Sequence, residues 1–297
     1  GMEIKMKKIA LIIGISAMLA LTACGGNKKE NVQTEAATQE TTAAETTSMG
    51  DYTQVSLPEE YEPAFYEGTV SDYTGNFITI NGENGELKFD LEGAELPEDT
   101  TIIRGCYVEV SYADAAENGT YPADGLSLLN DNEQLAQEEN RDPVIYGKLQ
   151  VMDINELEIV DDAGRTIDFD NSISRVVSFA DLKAGDNVIV TYAGSVYKNE
   201  EDDSENSGVF DGAPVAIKIV AEDAAKTEDA EANYIDGTVS GIEGNRINLS
   251  TEIADFNCEV EDEAMLADVA EEQHVRVYYT GSIADIVIAV EKLEKLD

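Results

Sequence analysis

The sequence predicts an all-β protein with minor helical content, in which three five-stranded Greek-key barrels follow one another after a disordered tether. Three observations lead to this prediction. One residue pattern occurs three times along the chain at matching offsets. Within each copy, apolar and polar residues alternate, which is typical of strands with one buried face. Each copy holds five such strands, with a segment of different character between the third and the fourth.

Each copy of the pattern begins with a glycine in the first strand. An asparagine follows eight residues later in every copy, and an alternating apolar pair begins two residues after the asparagine. The three copies are Gly68-Thr69-Val70 with Asn76 and Ile78/Ile80, Gly147-Lys148-Leu149 with Asn155 and Leu157/Ile159, and Gly237-Thr238-Val239 with Asn245 and Ile247/Leu249. These offsets predict a hairpin formed by the first two strands of each barrel.

The later strands repeat as well. The third strand holds an inward phenylalanine, the fourth ends in a tyrosine, and the fifth supplies a closing apolar pair. The residues are Phe89, Tyr112 and Leu126/Leu128; Phe169, Tyr192 and Ile217/Ile219; and Phe256, Tyr279 and Ile286/Ile288. The tyrosines share the phase of the inward valines, so we expect them to cap the cores rather than to stack on a ligand. Helical spacing over 261–273, and the matching segment 179–182, predict a helical connection before the fourth strand.

This order of elements resembles the OB-like small β-barrel domains of unknown function that occur, often in series, in exported bacterial proteins. The resemblance covers residues 66–129, 145–221 and 234–293 and implies a fold without active residues. An SH3-like barrel or an open sandwich are the alternatives. The predicted repeats span 61–133, 143–223 and 233–297. Because each has a small core, we expect neighbouring repeats to pack against each other.

The N-terminal residues predict an export signal. A short basic start and an apolar run precede Leu21-Thr22-Ala23-Cys24, which resembles the lipobox of exported bacterial lipoproteins. The resemblance implies that residues 1–23 are a signal peptide and that Cys24 carries a lipid on the outer face of the cell membrane. An uncleaved anchor helix is the alternative. Residues 24–60 are rich in Thr, Glu and Ala, which predicts the disordered tether.

The net negative charge of the chain limits the classes of partner that we expect it to bind. Without residues 1–23 the chain has 16 Lys and Arg against 61 Asp and Glu, a formal charge of −45. Such a chain should repel polyanions, so we expect the membrane, through the N-terminal lipid, and an envelope protein as partners, and no nucleic acid. A solvated acidic surface without a specific ligand is the simplest alternative.

The variable connection before the fifth strand of the second repeat is the predicted ligand site. Its candidate residues are Asp202, Asp203, Glu205 and Asp211. They partly match a calcium-binding loop, but Pro214 stands where the closing glutamate belongs, so metal binding stays open and a disordered acidic loop is the alternative. A second acidic segment, Asn130 to Glu133 with Glu138 and Glu139, predicts a capped helical turn. We expect both linkers, 130–142 and 222–232, to be exposed and easily cleaved.

Enzyme motifs are missing from the sequence, and we expect no cofactor. The single histidine, His274, opens a predicted strand and is interpreted as structural. Cys106 and Cys258 are interpreted as buried, unpaired thiols, with a disulfide as the alternative. The leading hypothesis is a non-catalytic lipoprotein that presents barrels to a protein or soluble ligand. The alternatives are an acidic, cation-binding or cation-stabilised module and, more distantly, a hydrolase.

Overall fold

Antiparallel strand pairs dominate the computed structural model, which describes residues 63–113, 116, 118–197 and 214–296. The strands are β1 (Ala64–Tyr73), β2 (Phe77–Gly82), β3 (Gly85–Asp90), β4 (Tyr107–Tyr112), β5 (Thr120–Asn130), β6 (Val144–Met152), β7 (Glu156–Asp161), β8 (Thr166–Asp170), β9 (Arg175–Val177), β10 (Asn187–Ala193), β11 (Val215–Ala221), β12 (Tyr234–Glu243), β13 (Arg246–Ser250), β14 (Asp255–Val260), β15 (His274–Thr280) and β16 (Ile288–Lys295). Two short helices are α1 (Asn132–Glu138) and α2 (Glu228–Glu231).

The strands form three sheets, here named barrels 1, 2 and 3. Barrel 1 (β1 to β5) is closed in the order β1-β2-β3-β5-β4, and barrel 3 (β12 to β16) repeats that order. Barrel 2 (β6 to β11) closes through β10 and β11 and has one additional short strand, β9. In each barrel the third strand pairs in parallel with the closing strand, whereas the other main pairs are antiparallel. The predicted all-β fold of three tandem five-stranded Greek-key barrels is therefore confirmed.

The repeated glycine marks a close approach of two strands. A Cβ atom on Gly68 would lie 2.4 Å from the carbonyl oxygen of Asn81. At Gly147 and Gly237 the corresponding distance to a backbone oxygen of the second strand is 2.8 Å. Two or three residues later, every first strand has a register shift, which adds the twist needed to close a small barrel. The sequence repeat thus records a steric requirement of the fold.

The cores join neighbouring barrels. One cluster of buried apolar residues runs from barrel 1 into barrel 2, and the cluster of barrel 3 includes Ala193 and Ile217 of barrel 2. Tyr192 and Tyr279 are buried, and Tyr112 packs against the first core, so the prediction that these tyrosines cap cores is confirmed. Packing between neighbours is confirmed too, as expected for units too small to bury their surface alone.

Two local predictions are wrong. Between the third and fourth strands of barrel 3 only a 3-10 turn forms, Glu263–Leu266, because this short acidic segment packs only Leu266 and Val269 on the core. Segment 179–182 of barrel 2 is not helical either. Ile286 is 90% exposed and precedes β16, whose inward residues are Ile288 and Val290. The alternation over 286–288 therefore crosses the strand boundary.

The first linker is folded. Asp131 caps α1 through a reciprocal pair of bonds with Gln134, so the predicted capped turn is confirmed. The expectation that the linkers are exposed holds for residues 137–140 of this segment, but it is wrong for Asn132 and Asp142, which are buried. Their side chains contact barrels on either side, as described below.

Several predicted features lie outside the described residues. These are the signal peptide, Cys24, the tether, and the acidic insertion with Asp202, Asp203, Glu205 and Asp211. Cys106 and Cys258 lie inside the described part, and the prediction that these thiols are buried is confirmed. No helix within the described ranges is long and apolar enough to cross a membrane.

Candidate functional site

Polar side chains concentrate at the contacts between barrels. Arg104, which precedes β4 in barrel 1, reaches barrel 2 and donates two bonds of 2.8 Å to Asp162. A third bond of 2.9 Å goes to Glu222. The guanidinium also lies over the ring of Tyr146, 4.5 Å from its centroid. The hydrogen bonds to Asp162 raise the pKa of Arg104, so this cation stays charged at the junction.

A partly buried carboxylate joins α1 to barrel 2. Glu133 accepts hydrogen bonds from the hydroxyl of Tyr192 at 2.9 Å and from the hydroxyl of Ser195 at 2.7 Å. The backbone N–H of Val196 donates a third bond of 2.7 Å. Three donors around one carboxylate compensate the loss of its hydration.

The same arrangement occurs in barrel 3. Asp142, just before β6, accepts from the hydroxyl of Tyr279 at 2.6 Å, the hydroxyl of Ser282 at 2.9 Å and the N–H of Ile283 at 2.8 Å. Asp142 belongs to the linker between barrels 1 and 2, so this carboxylate ties that linker to barrel 3. Tertiary structure thus connects segments about 140 residues apart in the chain.

The two sites are copies of one motif, which we call the carboxylate receptor. It consists of a tyrosine at the end of the fourth strand, a glycine two residues later, then a serine and a β-branched residue. The two copies are Tyr192-Ala193-Gly194-Ser195-Val196 and Tyr279-Thr280-Gly281-Ser282-Ile283. Both glycines have positive φ, 89° and 84°, which turns the chain so that hydroxyl and N–H face one point. Barrel 1 has Tyr112-Ala113-Asp114-Ala115-Ala116 here and lacks both glycine and serine.

Burial governs the electrostatics of both receptors. It raises the pKa of Glu133 and of Asp142 above their ordinary values, and the three donors on each carboxylate oppose that shift. Burial, followed by the neighbouring carboxylate, also raises the pKa of Tyr192 and Tyr279, so both phenols stay protonated donors. Each receptor is filled by the chain itself and acts as a joint between segments, not as an open ligand site.

The junction between barrels 2 and 3 contains a buried lysine. Lys218 on β11 donates to the carbonyls of Ala230 and Ala232 and to the side chain of Asn233, at 2.6, 3.1 and 3.1 Å. These acceptors belong to the second linker, which the lysine fixes to barrel 2. Burial, with a contribution from Arg175, lowers the pKa of Lys218 to about 8.

An aromatic ring sits between two arginines at the same junction. The guanidiniums of Arg175, from barrel 2, and Arg276, from barrel 3, each lie 3.9 Å from the centroid of Tyr234. Arg276 also forms two bonds with Asp236, at 2.8 and 2.9 Å. Cation–π contacts and charge-assisted bonds therefore combine where barrel 3 begins.

A polar depression of about 480 Å³ opens beside this stack. Ser172 and Ser174 of barrel 2 line it together with Glu252 and His274 of barrel 3. His274 is exposed, and its Nδ1 lies 2.9 Å from the hydroxyl of Thr238. The contact with Thr238 agrees with a structural role for His274, which stays a prediction.

The sequence-predicted site and the observed polar clusters differ. The predicted ligand residues lie outside the described part, and within it no group of three or more His, Cys, Asp or Glu side chains is arranged to hold a metal. Sequence reasoning missed Glu133 as a receptor-bound group, and it missed Asp142 altogether. The repeated Tyr-x-Gly-Ser was the signal that pointed to the receptor, but nothing in the sequence identified its carboxylate.

Comparisons with known proteins find similar chains only among solved structures. No family model matches the chain, and no curated protein matches it. A solved structure described as "drosophila Unr CSD456" is 13% identical with a TM-score of 0.20, and the match covers 80% of this chain and 98% of that one. A multidomain protein with nucleic acid binding domains from Streptococcus pneumoniae TIGR4 is 10% identical with a TM-score of 0.18, covering 76% of this chain and 72% of that one.

The expectation of no nucleic-acid partner needs correction. A structure that this chain resembles contains nucleic acid binding domains, which conflicts with that exclusion. The physical reason is that net charge sums over the whole chain, whereas a barrel binds through one local face. Arg175 and Arg276, which both lie over the ring of Tyr234, show that positive side chains gather locally despite the acidic total.

Proposed function

We propose that the chain is a non-catalytic, lipid-anchored module of the cell envelope that presents three joined barrels to a protein ligand. Cys24 would carry the lipid, and the Thr/Glu/Ala-rich segment would separate the barrels from the membrane. The structures that resemble the chain are not described as enzymes, which agrees with a binding role.

The observation that supports this proposal best is the pair of filled carboxylate receptors. Buried ionisable groups at a catalytic centre would face a substrate. Here Glu133 and Asp142 are each satisfied by three donors of the chain itself. Their role is to fix one barrel to the next, and fixed barrels present their outer faces at constant spacing.

The experiment combines lipid labelling with crosslinking in the native host. Cells that express the chain with a photocrosslinking amino acid at an exposed position of barrel 1 receive radiolabelled palmitate and are then irradiated. We expect labelling and a discrete protein adduct with Cys24 present, and neither with Cys24→Ala. Cys258→Ala serves as the matched control and should change neither result. Labelling that persists in Cys24→Ala would refute the anchor, and labelled cells without an adduct would refute presentation.

A second candidate function is binding of a nucleic acid strand. One observation favours it: Arg276 and Lys292 stack on the neighbouring rings of Tyr234 and Tyr278 on barrel 3, beside His274. Titration with a single-stranded oligonucleotide at low and at physiological salt tests it. Salt-sensitive binding that Arg276→Gln weakens would support this candidate, and no binding at low salt would refute it.

A further inference from the structure

Barrel 1 has an exposed aromatic face, and the equivalent faces of barrels 2 and 3 are covered. We call it the β1–β4 face and define it by Phe65 and Glu67 on β1 and Glu109 on β4. Phe65 is 60% exposed, and Leu96, which lines the same depression, is 44% exposed. Shallow depressions of about 450 and 470 Å³ flank the phenyl ring. A large apolar ring in this setting marks a surface that calls for an explanation.

Strand register shows what this face corresponds to in the other barrels. Phe65 stands three residues before the repeated glycine, as do Val144 and Tyr234. Glu67 stands one residue before it, in the position of Tyr146 and Asp236. Across the strands, Glu67 pairs with Glu109, and Asp236 pairs with Arg276. The comparison is therefore between equivalent positions of one fold.

Arginine covers this face wherever a barrel follows another. In barrel 2, Arg104 from barrel 1 lies over Tyr146. In barrel 3, Arg175 from barrel 2 and the barrel's own Arg276 enclose Tyr234. Each of these guanidiniums also bonds to a carboxylate, Asp162, Asp229 or Asp236. Two independent junctions thus use the same chemistry, a guanidinium placed over a ring and held by an acid.

Barrel 1 keeps the ring and the acids but has no arginine to place there. Over residues 64–130 its cations are Lys88 and Arg104. Lys88 lies over Phe77, and Arg104 is used at the junction with barrel 2. Where barrel 3 pairs Asp236 with Arg276, barrel 1 sets Glu67 directly opposite Glu109. Like charges facing each other across strands are destabilising, so a cation from outside would relieve a strain that the fold carries.

We propose that the β1–β4 face of barrel 1 binds an arginine of a basic segment of a partner protein. The guanidinium lies over Phe65 and bonds to Glu67 and Glu109, as Arg276 lies over Tyr234 and bonds to Asp236. Glu95 and Glu98, which line the depression beside Leu96, extend the acidic rim toward further basic residues. This inference rests on the proposed binding function and names the chemistry of the partner.

A basic protein segment fits the observations better than a second copy of this chain. The face is acidic, and the chain as a whole has 62 Asp and Glu against 19 Lys and Arg. Two copies therefore repel each other before any contact forms. A planar guanidinium can stack on the ring and bond to a carboxylate at once, which an ammonium group cannot do as well.

The experiment titrates the full chain with two labelled peptides at low ionic strength. One is a glycine-serine peptide with two arginines, and the other has citrulline, a neutral group of the same shape, in their place. We expect the arginine peptide to bind and the citrulline peptide not to. Phe65→Ala should weaken binding about three- to tenfold, the range of a cation–π contact. Equal binding of both peptides, or no effect of Phe65→Ala, would overturn the proposal.

A variant that places an arginine on barrel 1, at the position that Arg276 has in barrel 3, tests the site more directly. Glu109→Arg reproduces the barrel 3 arrangement, so it should abolish peptide binding and raise the melting temperature by filling the site from within. The matched control is Glu271→Arg, the same charge change at an exposed turn before β15. When both variants are compared at ~0.15 M salt, where the Debye length is about 8 Å, the control should alter affinity by less than about twofold. Equal losses in both variants would show nonspecific attraction to a polyanion and refute the site.

The chain's own N-terminal lysines provide the last comparison. Unchanged affinity in the double variant Lys28→Ala, Lys29→Ala supports a partner as the occupant. A tenfold rise would identify these lysines as resident on the face and overturn the partner assignment. If the peptide fails to bind while the Cys24-dependent adduct persists, this site is refuted and the proposed function is not. If the adduct is lost while the peptide still binds, the proposed function is refuted and this site is not.

Discussion

Removal of the Asp142 carboxylate tests whether the receptor joins the first linker to barrel 3. In Asp142→Ala the hydroxyl of Tyr279 and the N–H of Ile283 lose their acceptor, and both residues are buried. A buried donor left without a partner costs about 1–3 kcal/mol, so the pair predicts a loss of about 2–6 kcal/mol in the free energy of unfolding. Ser282 is less buried and can bond to water, so it adds little.

Asp142→Asn is the informative companion. One oxygen of Asp142 accepts from both Ser282 and Ile283, and an amide oxygen can keep those two bonds. Only the hydroxyl of Tyr279 then loses its acceptor, so the loss should be about 1–3 kcal/mol. The geometry alone therefore predicts that Asp142→Ala loses more free energy of unfolding than Asp142→Asn.

Urea unfolding followed by far-ultraviolet circular dichroism, with hydrogen exchange at the Ile283 amide, measures both effects. At an m value of about 3 kcal/mol/M, Asp142→Ala should lower the midpoint of barrel 3 by about 1–2 M. Exchange at Ile283 should accelerate before that of β6 and β10. Asp181→Ala, at an exposed loop position, is the control and should stay within about 0.5 kcal/mol. A loss of less than about 0.5 kcal/mol in Asp142→Ala would refute the joint.

Three further predictions follow from the described contacts and the charge pattern. Because the pKa of Lys218 is about 8 when folded and near its ordinary value of 10.5 when unfolded, this side chain contributes a rise of stability with pH between those values. Burial raises the pKa of Tyr192 and Tyr279, and these groups contribute the opposite slope at the alkaline end of the window. The test is therefore the difference between two chains: the urea midpoint of Lys218→Met should change less favourably with pH than that of the parent, and equal slopes would contradict the prediction. Gly68→Ala should destabilise barrel 1 by about 1–3 kcal/mol, because its Cβ would lie 2.4 Å from a backbone oxygen; Gly93→Ala, where nothing lies within 4 Å, tests positive φ alone and should cost less in thermal melts. Calcium should raise the melting temperature no more than magnesium at equal ionic strength, since Pro214 interrupts the only calcium-like loop; a calcium-specific rise that disappears in Asp203→Ala would favour the cation-binding alternative.

The pattern of the sequence determined the barrels because strand alternation, glycine at a close approach and inward tyrosines are local rules. Gly68, Gly147 and Gly237 each mark the close approach of the first two strands of a barrel. Comparison of the three repeats with one another reveals this shared glycine. The helix expected over 261–273 did not form, because only Leu266 and Val269 of this acidic segment pack on the core, and two such contacts do not stabilise a short helix.

The junctions were decided only by the tertiary structure. Asp142 and Tyr279 lie 137 residues apart, and Arg104 and Asp162 lie 58 apart, so no local pattern relates them. Among 62 acidic residues, the sequence cannot distinguish the two that each accept three hydrogen bonds from the chain from those that face water. The exposure of Phe65 is equally a tertiary property. The residue at its position in barrel 3, Tyr234, is buried and is covered by Arg175 of the preceding barrel and by Arg276 of its own. Periodicity along the chain determines which face of a strand is apolar, and packing between barrels decides which of those faces stays open.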